Sequence, residues 1–486
     1  MEVEADSLGF VDHFIAWVAA PAAANSSLTK PLKSAKMKAS FPFLILGVCI
    51  MKVVCFPLMM GLILPIWAQI SFVDKKADGQ DPGVDVLRGA YTPAISPDGR
   101  HIYAPGSLDH GLVVFAMDRF SGQLSLVETH VDGQAGISSL ASCRGAAVSP
   151  DGKHVYTVAL TDSAVTVFSR NTATGALTLV QAIFDLNTGG SFDGLGGAMA
   201  VAISPDGEHV YVAARSDDAV VAFARNAMTG QLTLIGVYQN LVPPIQGLNG
   251  AESIALSPDG KHVYVAGMID QAIAVFSRNE LTGALTFVTA YFDGVNGIDG
   301  LGCTNDVAVS ADGAHVYAVG QFGAPSQPFC PVGFDDWMAI FARDADTGEL
   351  SLVDTVSPDD FNLPINCGGV AADNGVVVSP DGGSVYVTSQ WHGAILELAR
   401  NPTSGLVTLQ SFDCADLSDP NTILDLLSAH RVVSEPTGHR LLVSALSPGT
   451  VLVYETAAYH NFRQGVEAWP IGIDLLDLLL LLEPQD

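Results

Sequence analysis

The tetrapeptide Ser-Pro-Asp-Gly begins at Ser96, Ser149, Ser204, Ser257 and Ser379, with Ser-Ala-Asp-Gly at Ser310 and a degenerate Ser-Glu-Pro-Thr-Gly at Ser434. The intervals are 53, 55, 53, 53, 69 and 55 residues. A chain with this period folds as stacked copies of one unit, because a single copy cannot bury its own apolar face. Each copy reads alike. Ala146-Ala147-Val148 leads into a Pro-Asp-Gly turn, and His154-Val155-Tyr156-Thr157-Val158 follows. Then come Val165-Thr166-Val167-Phe168, a Thr174-Gly175 turn, and Leu177-Thr178-Leu179-Val180. Four short β-rich runs bounded by turn residues predict four antiparallel strands per unit. Seven such units predict an all-β fold, a seven-bladed β-propeller of four-stranded blades.

A ring of this kind must be closed. The seventh unit supplies runs at Arg431–Ser434, Arg440–Ser444 and Val451–Tyr454, but no outer strand follows Tyr454. The stretch Ile70-Ser71-Phe72-Val73 through Asp78-Gly79 matches the outer-strand pattern of Leu285–Val288 through Asp293-Gly294 and of Leu124–Val127 through Asp132-Gly133. The expectation is that this N-terminal segment closes the ring as the outer strand of the seventh blade, removing the sheet edges that invite aggregation.

The repeated SPDG-x-HVYVA followed by VFSRN-x-x-TG-x-LT resembles the lactonase-type seven-bladed β-propeller superfamily, also described through YVTN repeats. That superfamily includes 6-phosphogluconolactonase-like enzymes, carboxymuconate cyclases and exported repeat proteins. The resemblance implies a ligand or active site at the mouth of the central channel, lined by inner strands. It supplies no catalytic motif that can be matched to this chain residue by residue.

A repeat protein separates structure from function, because a residue that recurs at one slot serves the repeat. His101, His154, His209, His262 and His315 share one slot, Arg170, Arg225, Arg278, Arg343 and Arg400 another, and Asp98, Asp151, Asp206, Asp259, Asp312 and Asp381 the Pro-Asp-Gly turn. The histidines and arginines are read as packing and pairing groups, and the aspartates as turn formers ahead of a glycine that tolerates positive φ. The slot five residues before each motif serine varies instead: Tyr91, Arg144, Met199, Glu252, Asn305, Asn374 and Ala429, with Asp306, His430 and Arg431 adjacent. Lactone hydrolysis or cyclisation needs a base and donors for the developing oxyanion. Glu252 is the expected base, His430 the expected acid and Arg144 the substrate anchor, with Tyr91, Asn305, Asp306, Asn374 and Arg431 as further substrate-binding residues. The plainer alternative is a wet channel mouth that tolerates polar variety.

Other chemistry finds little support. Walker, HExxH, GxSxG, CxxC and EF-hand patterns are absent from the sequence, so neither a cofactor nor a metal is expected. Asp293, Asn296 and Asp299 could crowd oxygens around Ca²⁺, but without EF-hand spacing a solvated loop is the simpler reading. With 51 acidic against 22 basic residues, a net charge of −29, the chain has no electrostatic grip on nucleic acid or anionic lipid.

The domain reading is a leader over 1–68, a propeller over 69–455 and a tail over 456–486 that forms a short helix or is disordered. Within the leader, Met51-Lys52, the apolar run Val53–Pro65 and Ile66-Trp67-Ala68 have the layout of a signal peptide, 51–68, cleaved before Gln69. This predicts an exported, periplasmic or extracellular protein, with an uncleaved membrane anchor as the alternative and no other membrane association. An insertion over Gly320–Asp336 is expected on the mouth face of the fifth blade. Cys303, Cys330, Cys367 and Cys414 are disulfide candidates, Cys143 being the fifth cysteine after the leader. Two functions are carried forward: an exported monomer hydrolysing or isomerising a small acidic lactone or sugar acid, or a non-catalytic propeller binding a protein, glycan or envelope component.

Overall fold

A computed structural model of the protein describes residues 70–320, 338–361, 373–390, 393–415, 423–457 and 459. The proposed leader, most of the tail, the fifth-blade insertion, Cys330 and Cys367 lie outside these residues. Seven four-stranded antiparallel sheets are present, each running in chain order from inner to outer strand. The exception is the seventh, where Ser71–Ala77 pairs with Thr450–Glu455 and supplies the outer strand. The ring is thus closed by the N-terminal segment, as the repeat pattern requires.

Binary patterning explains the layering. The second strands, such as His154–Ala159 and His209–Ala214, are buried along their whole length, because both faces lie against neighbouring blades. The outer strand Leu124–Val131 is buried only at Leu124 and is otherwise half-buried or exposed, being open to water. Valines and tyrosines of adjacent blades interdigitate in shared apolar layers, as when Tyr211 and Val220 pack against Val263 and Phe276 of the next sheet.

The recurrent polar residues form a clasp under five of the seven seams. Arg278 of the fourth blade donates from Nε to the Tyr211 hydroxyl at 2.9 Å, from one terminal nitrogen to the Gly260 carbonyl at 2.9 Å, and from the other to Asp206 at 2.6 Å and His209 Nδ1 at 2.7 Å. Tyr211 in turn donates to the Gly283 carbonyl. Arg170, Arg225, Arg343 and Arg400 repeat the arrangement on the preceding blade. Burial and the adjacent guanidinium hold each of these imidazoles below the usual histidine range, so Nδ1 is free to accept.

Blade seven departs from this pattern on both sides. The arginine slot holds Thr456 there and Met117 in the first blade, and Arg440 takes the histidine slot. Across the sixth-to-seventh seam, Glu397 substitutes from a buried position. It accepts from Tyr386 at 3.1 Å, Ser411 at 2.8 Å and the backbone of Ala457, while Ser411 also accepts from the Ile70 N–H. One carboxyl network therefore joins both ends of the ring. At the other seam Arg440 reaches the Phe120 carbonyl at 2.9 Å.

The structure also corrects the repeat register in the seventh blade. Gly438 N–H bonds the Glu435 carbonyl and Glu435 N–H bonds the Arg440 carbonyl, as Gly152 bonds Ser149 and Ser149 bonds His154 elsewhere. Glu435, not Ser434, stands in the motif-serine position. The slot five residues back is then His430, and Ala429 drops out of the channel series.

The clasp makes a stability prediction. Arg278→Met leaves Asp206, His209 and Tyr211 without their shared donor and should cost about 2–3 kcal/mol. Arg88→Met, which removes an exposed guanidinium 3.9 Å from Asp109, should cost at most about 1 kcal/mol. Urea unfolding midpoints of the two variants compare them directly; equal midpoints would refute the clasp.

Candidate active site

Every complete inner strand carries a bulge at its second residue. The register slips between Cys143 and Gly145, Ala198 and Ala200, Ala251 and Ser253, Thr304 and Asp306, Asp373 and Gly375, and Ala429 and Arg431. The skipped residues are Arg144, Met199, Glu252, Asn305, Asn374 and His430, the variable slot in its corrected register. A bulge leaves one residue out of the ladder and re-aims its side chain. Here the re-aimed side chains of Arg144, Glu252 and His430 gather around Tyr91.

Tyr91, from the first blade, is the hub. Its hydroxyl donates to Glu252 Oε1 of the fourth blade at 3.1 Å. Its ring lies 4.2 Å from the His430 ring, and the Arg144 guanidinium stands over it at 4.6 Å, with that of Arg431 at 5.7 Å. Arg431 pairs with Asp306 at 3.2 Å and donates to the Asn305 carbonyl at 3.2 Å. Asp306 is fixed by Ser253 Oγ at 2.5 Å and the Val376 N–H at 3.1 Å. Arg144, Glu252, His430, Arg431, Asp306 and Tyr91 therefore meet in one cluster, while Asn305 enters it through its backbone carbonyl. Met199 is a buried apolar neighbour in the series. Asn374 occupies the same register position in the sixth blade, but its side chain is not among those described.

Most of the cluster is shielded from solvent. Tyr91, Glu252, Asn305, His430 and Arg431 are all buried. Burial, then the Glu252 carboxylate, pushes the Tyr91 phenol up to about 12, so it is a standing donor. Burial, then Arg431 and Arg144, pushes the His430 imidazole well below its usual range. Burial works against the Arg431 cation, but Asp306, Tyr91 and Glu252 hold it protonated above the ordinary arginine value. Three buried atoms of the cluster have no hydrogen-bond partner within the protein: Arg144 Nε, Glu252 Oε2 and His430 Nδ1. A buried polar atom without a partner costs about 1–3 kcal/mol, so a guanidinium donor, a carboxylate acceptor and an imidazole nitrogen are held ready around one channel.

Sequence reasoning missed Arg215. It follows the second strand of the third blade and reaches Glu252 Oε2 at 3.5 Å. The slot holds Ser107, Leu160, Met268, Gln321, Gln390 and Leu446 in the other blades, so a single charge among neutral residues was the available signal.

Around the mouth, loop aspartates brace the backbone. Asp132 accepts from Leu140, Asp162 from Ala141, Asp218 from Gly250 and Asp293 from Leu301. Asp293 and Asp299 thus serve turn N–H groups. Among the described residues, the carboxylates that could hold a metal are Asp185, Asp193 and Asp217, with oxygens within 4.8 Å of one another. Asp185 and Asp217 already accept backbone N–H bonds from Gly194, Leu195 and Gly196. Cys303 and Cys414 are disulfide-bonded, whereas Cys143, which opens an inner strand, is a buried free thiol.

Comparison with known proteins agrees with this architecture. Residues 88–182 and 137–298 match the family described as lactonase, 7-bladed beta-propeller. The 6-phosphogluconolactonase of Klebsiella pneumoniae (strain 342) is 27% identical over 206 residues, 42% of this chain and 57% of that protein. That of Pectobacterium carotovorum is 26% identical over 210 residues, 43% and 59% of the two chains. The chain thus matches a little over half the length of these curated relatives. Among solved structures, the periplasmic gluconolactonase of Pseudomonas aeruginosa superposes with a TM-score of 0.50 at 19% identity, covering 66% of this chain and 84% of that one. Hydrazine synthase of Kuenenia stuttgartiensis does so at 0.53 and 17% identity, covering 79% and 99%.

His430 offers a direct check on the electrostatics. Its folded pKa lies below the unfolded value, so the ring stays neutral and its contribution to stability is lost as pH falls. Side-chain NMR should show no His430 titration between pH 8 and 6; a midpoint near 6.5 would contradict the buried cluster. By its repeat sequence over 88–298 and by the fold of its ring, this chain is similar to the lactonase-type seven-bladed β-propellers.

Proposed function

We propose that the protein is a lactone hydrolase whose reaction takes place at the Tyr91 cluster. The observation that carries this reading is the trio of atoms without a hydrogen bond, Arg144 Nε, Glu252 Oε2 and His430 Nδ1, brought into one buried site from three blades. The names of the matched relatives, 6-phosphogluconolactonase and gluconolactonase, support the same chemistry.

Glu252 is the base. Its Oε1 is held by the Tyr91 hydroxyl, which leaves Oε2 to take a proton from a water molecule as the water oxygen attacks the lactone carbonyl. Arg144 donates from Nε to the oxyanion that develops. When the ring C–O bond breaks, Glu252 returns its proton to the leaving alkoxide, and the product is a hydroxy acid. His430 was the expected acid. A ring held neutral by burial and two guanidiniums is not a ready proton donor, so its role here is to orient substrate through Nδ1. Arg431 and Asp306 neutralise each other and brace the floor.

The acidic mouth disfavours a phosphorylated dianion and favours an uncharged or singly charged lactone. Export fits the same picture: the signal-peptide layout of 51–68 is joined by disulfides at Cys303 and Cys414, bonds that persist in oxidising compartments.

Titrimetric assay of the purified full chain against a panel of aldonolactones tests the reaction. Glu252→Gln should lower kcat by roughly 10²–10⁴-fold, and Arg144→Ala should lower kcat/KM by roughly 10²–10³-fold. Turnover retained by both variants would sink the reading. N-terminal sequencing of protein recovered from the medium or periplasm should find Gln69 first; a chain starting upstream of Met51 would refute cleavage there.

A further inference from the structure

Arg215 does not belong to the repeat. Its backbone N–H is fixed to the Gly197 carbonyl at 3.0 Å, at the start of the loop after the second strand of the third blade. That loop emerges on the face where the inner strands begin. The side chain is 35% exposed, while the Glu252 side chain it approaches is 3% exposed, so one guanidinium bridges solvent and the buried base. At 3.5 Å from Oε2 it forms an ion pair without a hydrogen bond. The neighbouring loop aspartates do not claim it: Asp217 accepts from Gly196 N–H at 2.6 Å and Asp218 from Gly250 N–H at 2.8 Å.

The charge count gives this placement a meaning. Arg144, Arg215 and Arg431 stand against Glu252 and Asp306, with Tyr91 and His430 neutral. Within the cluster itself three guanidiniums face two carboxylates. Arg431 is buried against Asp306, and Arg144 is laid over the Tyr91 ring. Arg215 is the guanidinium with both a free approach from solvent and a loose partner.

We propose that Arg215 is the specificity-determining residue of the site: it binds a free carboxylate carried by the lactone at the channel mouth. In doing so it swings from Glu252 Oε2 to the substrate, which releases that oxygen for the attacking water. The inference rests on Glu252 being the base. It selects a lactone bearing one carboxylate over a neutral lactone of the same ring size, because one added anion neutralises the cluster and a dianion would overshoot.

The test compares two such lactones, one neutral and one carboxylate-bearing, with the full chain and with Arg215→Met, Arg215→Lys and Glu252→Gln. Wild type should prefer the carboxylate-bearing lactone. In Arg215→Met the ratio of kcat/KM between the two should fall roughly 10- to 100-fold, the range of one charge-assisted hydrogen bond, chiefly through KM for the carboxylate-bearing lactone. Arg215→Lys should recover much of the preference. Equal losses on both lactones, or an unchanged ratio, would overturn the role of Arg215 while Glu252→Gln still abolished turnover. Turnover undiminished in Glu252→Gln, or no turnover of either lactone by wild type, would overturn the base and Arg215 together.

Discussion

The ring depends on one antiparallel pairing, that of Ser71–Ala77 with Thr450–Glu455. Of seven sheets arranged around a channel, the last lacks its outer strand unless it borrows one from the other end of the ring. Once borrowed, that strand holds the seventh blade between the sixth and the first, and the inner strands of all seven converge. The five arginine clasps lock the other seams, but neither seam beside the closing blade has one. Glu397, Ser411 and Arg440 serve there instead, and Glu397 links Ala457 and, through Ser411, Ile70 at the two ends of the ring. Closure and the joining of the two ends of the ring are thus one network.

Closure also explains how charged groups survive in the channel. Tyr91 of the first blade meets His430 of the seventh only because the ring is shut, and reaches Glu252 of the fourth across the channel. Each buried charge has an opposite partner in the cluster: Arg431 has Asp306, and Glu252 has Arg215, with a hydrogen bond from Tyr91 besides. Removing water from ions is costly, and such pairing is what makes it tolerable. The partners are nevertheless incomplete at three atoms, and that incompleteness is where chemistry can enter.

The acidity of the chain reads differently in this light. Much of it serves the scaffold, as turn aspartates under the clasps and as loop aspartates that cap backbone N–H groups around the mouth. It is not by itself evidence of a partner. The fold is equally silent about reaction type, since a gluconolactonase and a hydrazine synthase both superpose on it. What separates such proteins is the set of side chains at the channel slots.

The repeat made the blade number, the strand order, the closing strand and the structural roles of His154, Arg225 and Asp151 legible from sequence alone. These features are local or periodic, and a copy can be compared with its neighbours. The channel slot was legible for the same reason, through Arg144, Glu252 and Asn305. It slipped by one residue in the seventh blade, where Glu435 replaces serine and only the hydrogen bonds of the turn reveal the register. Tyr91 as hub, Arg215 beside Glu252 and Glu397 beneath the last seam were decided by tertiary structure. Each depends on which side chains face one another across the channel or a seam, and residues brought together from blades 161 positions apart, as Tyr91 and Glu252 are, leave no mark in a pattern that repeats about every 55.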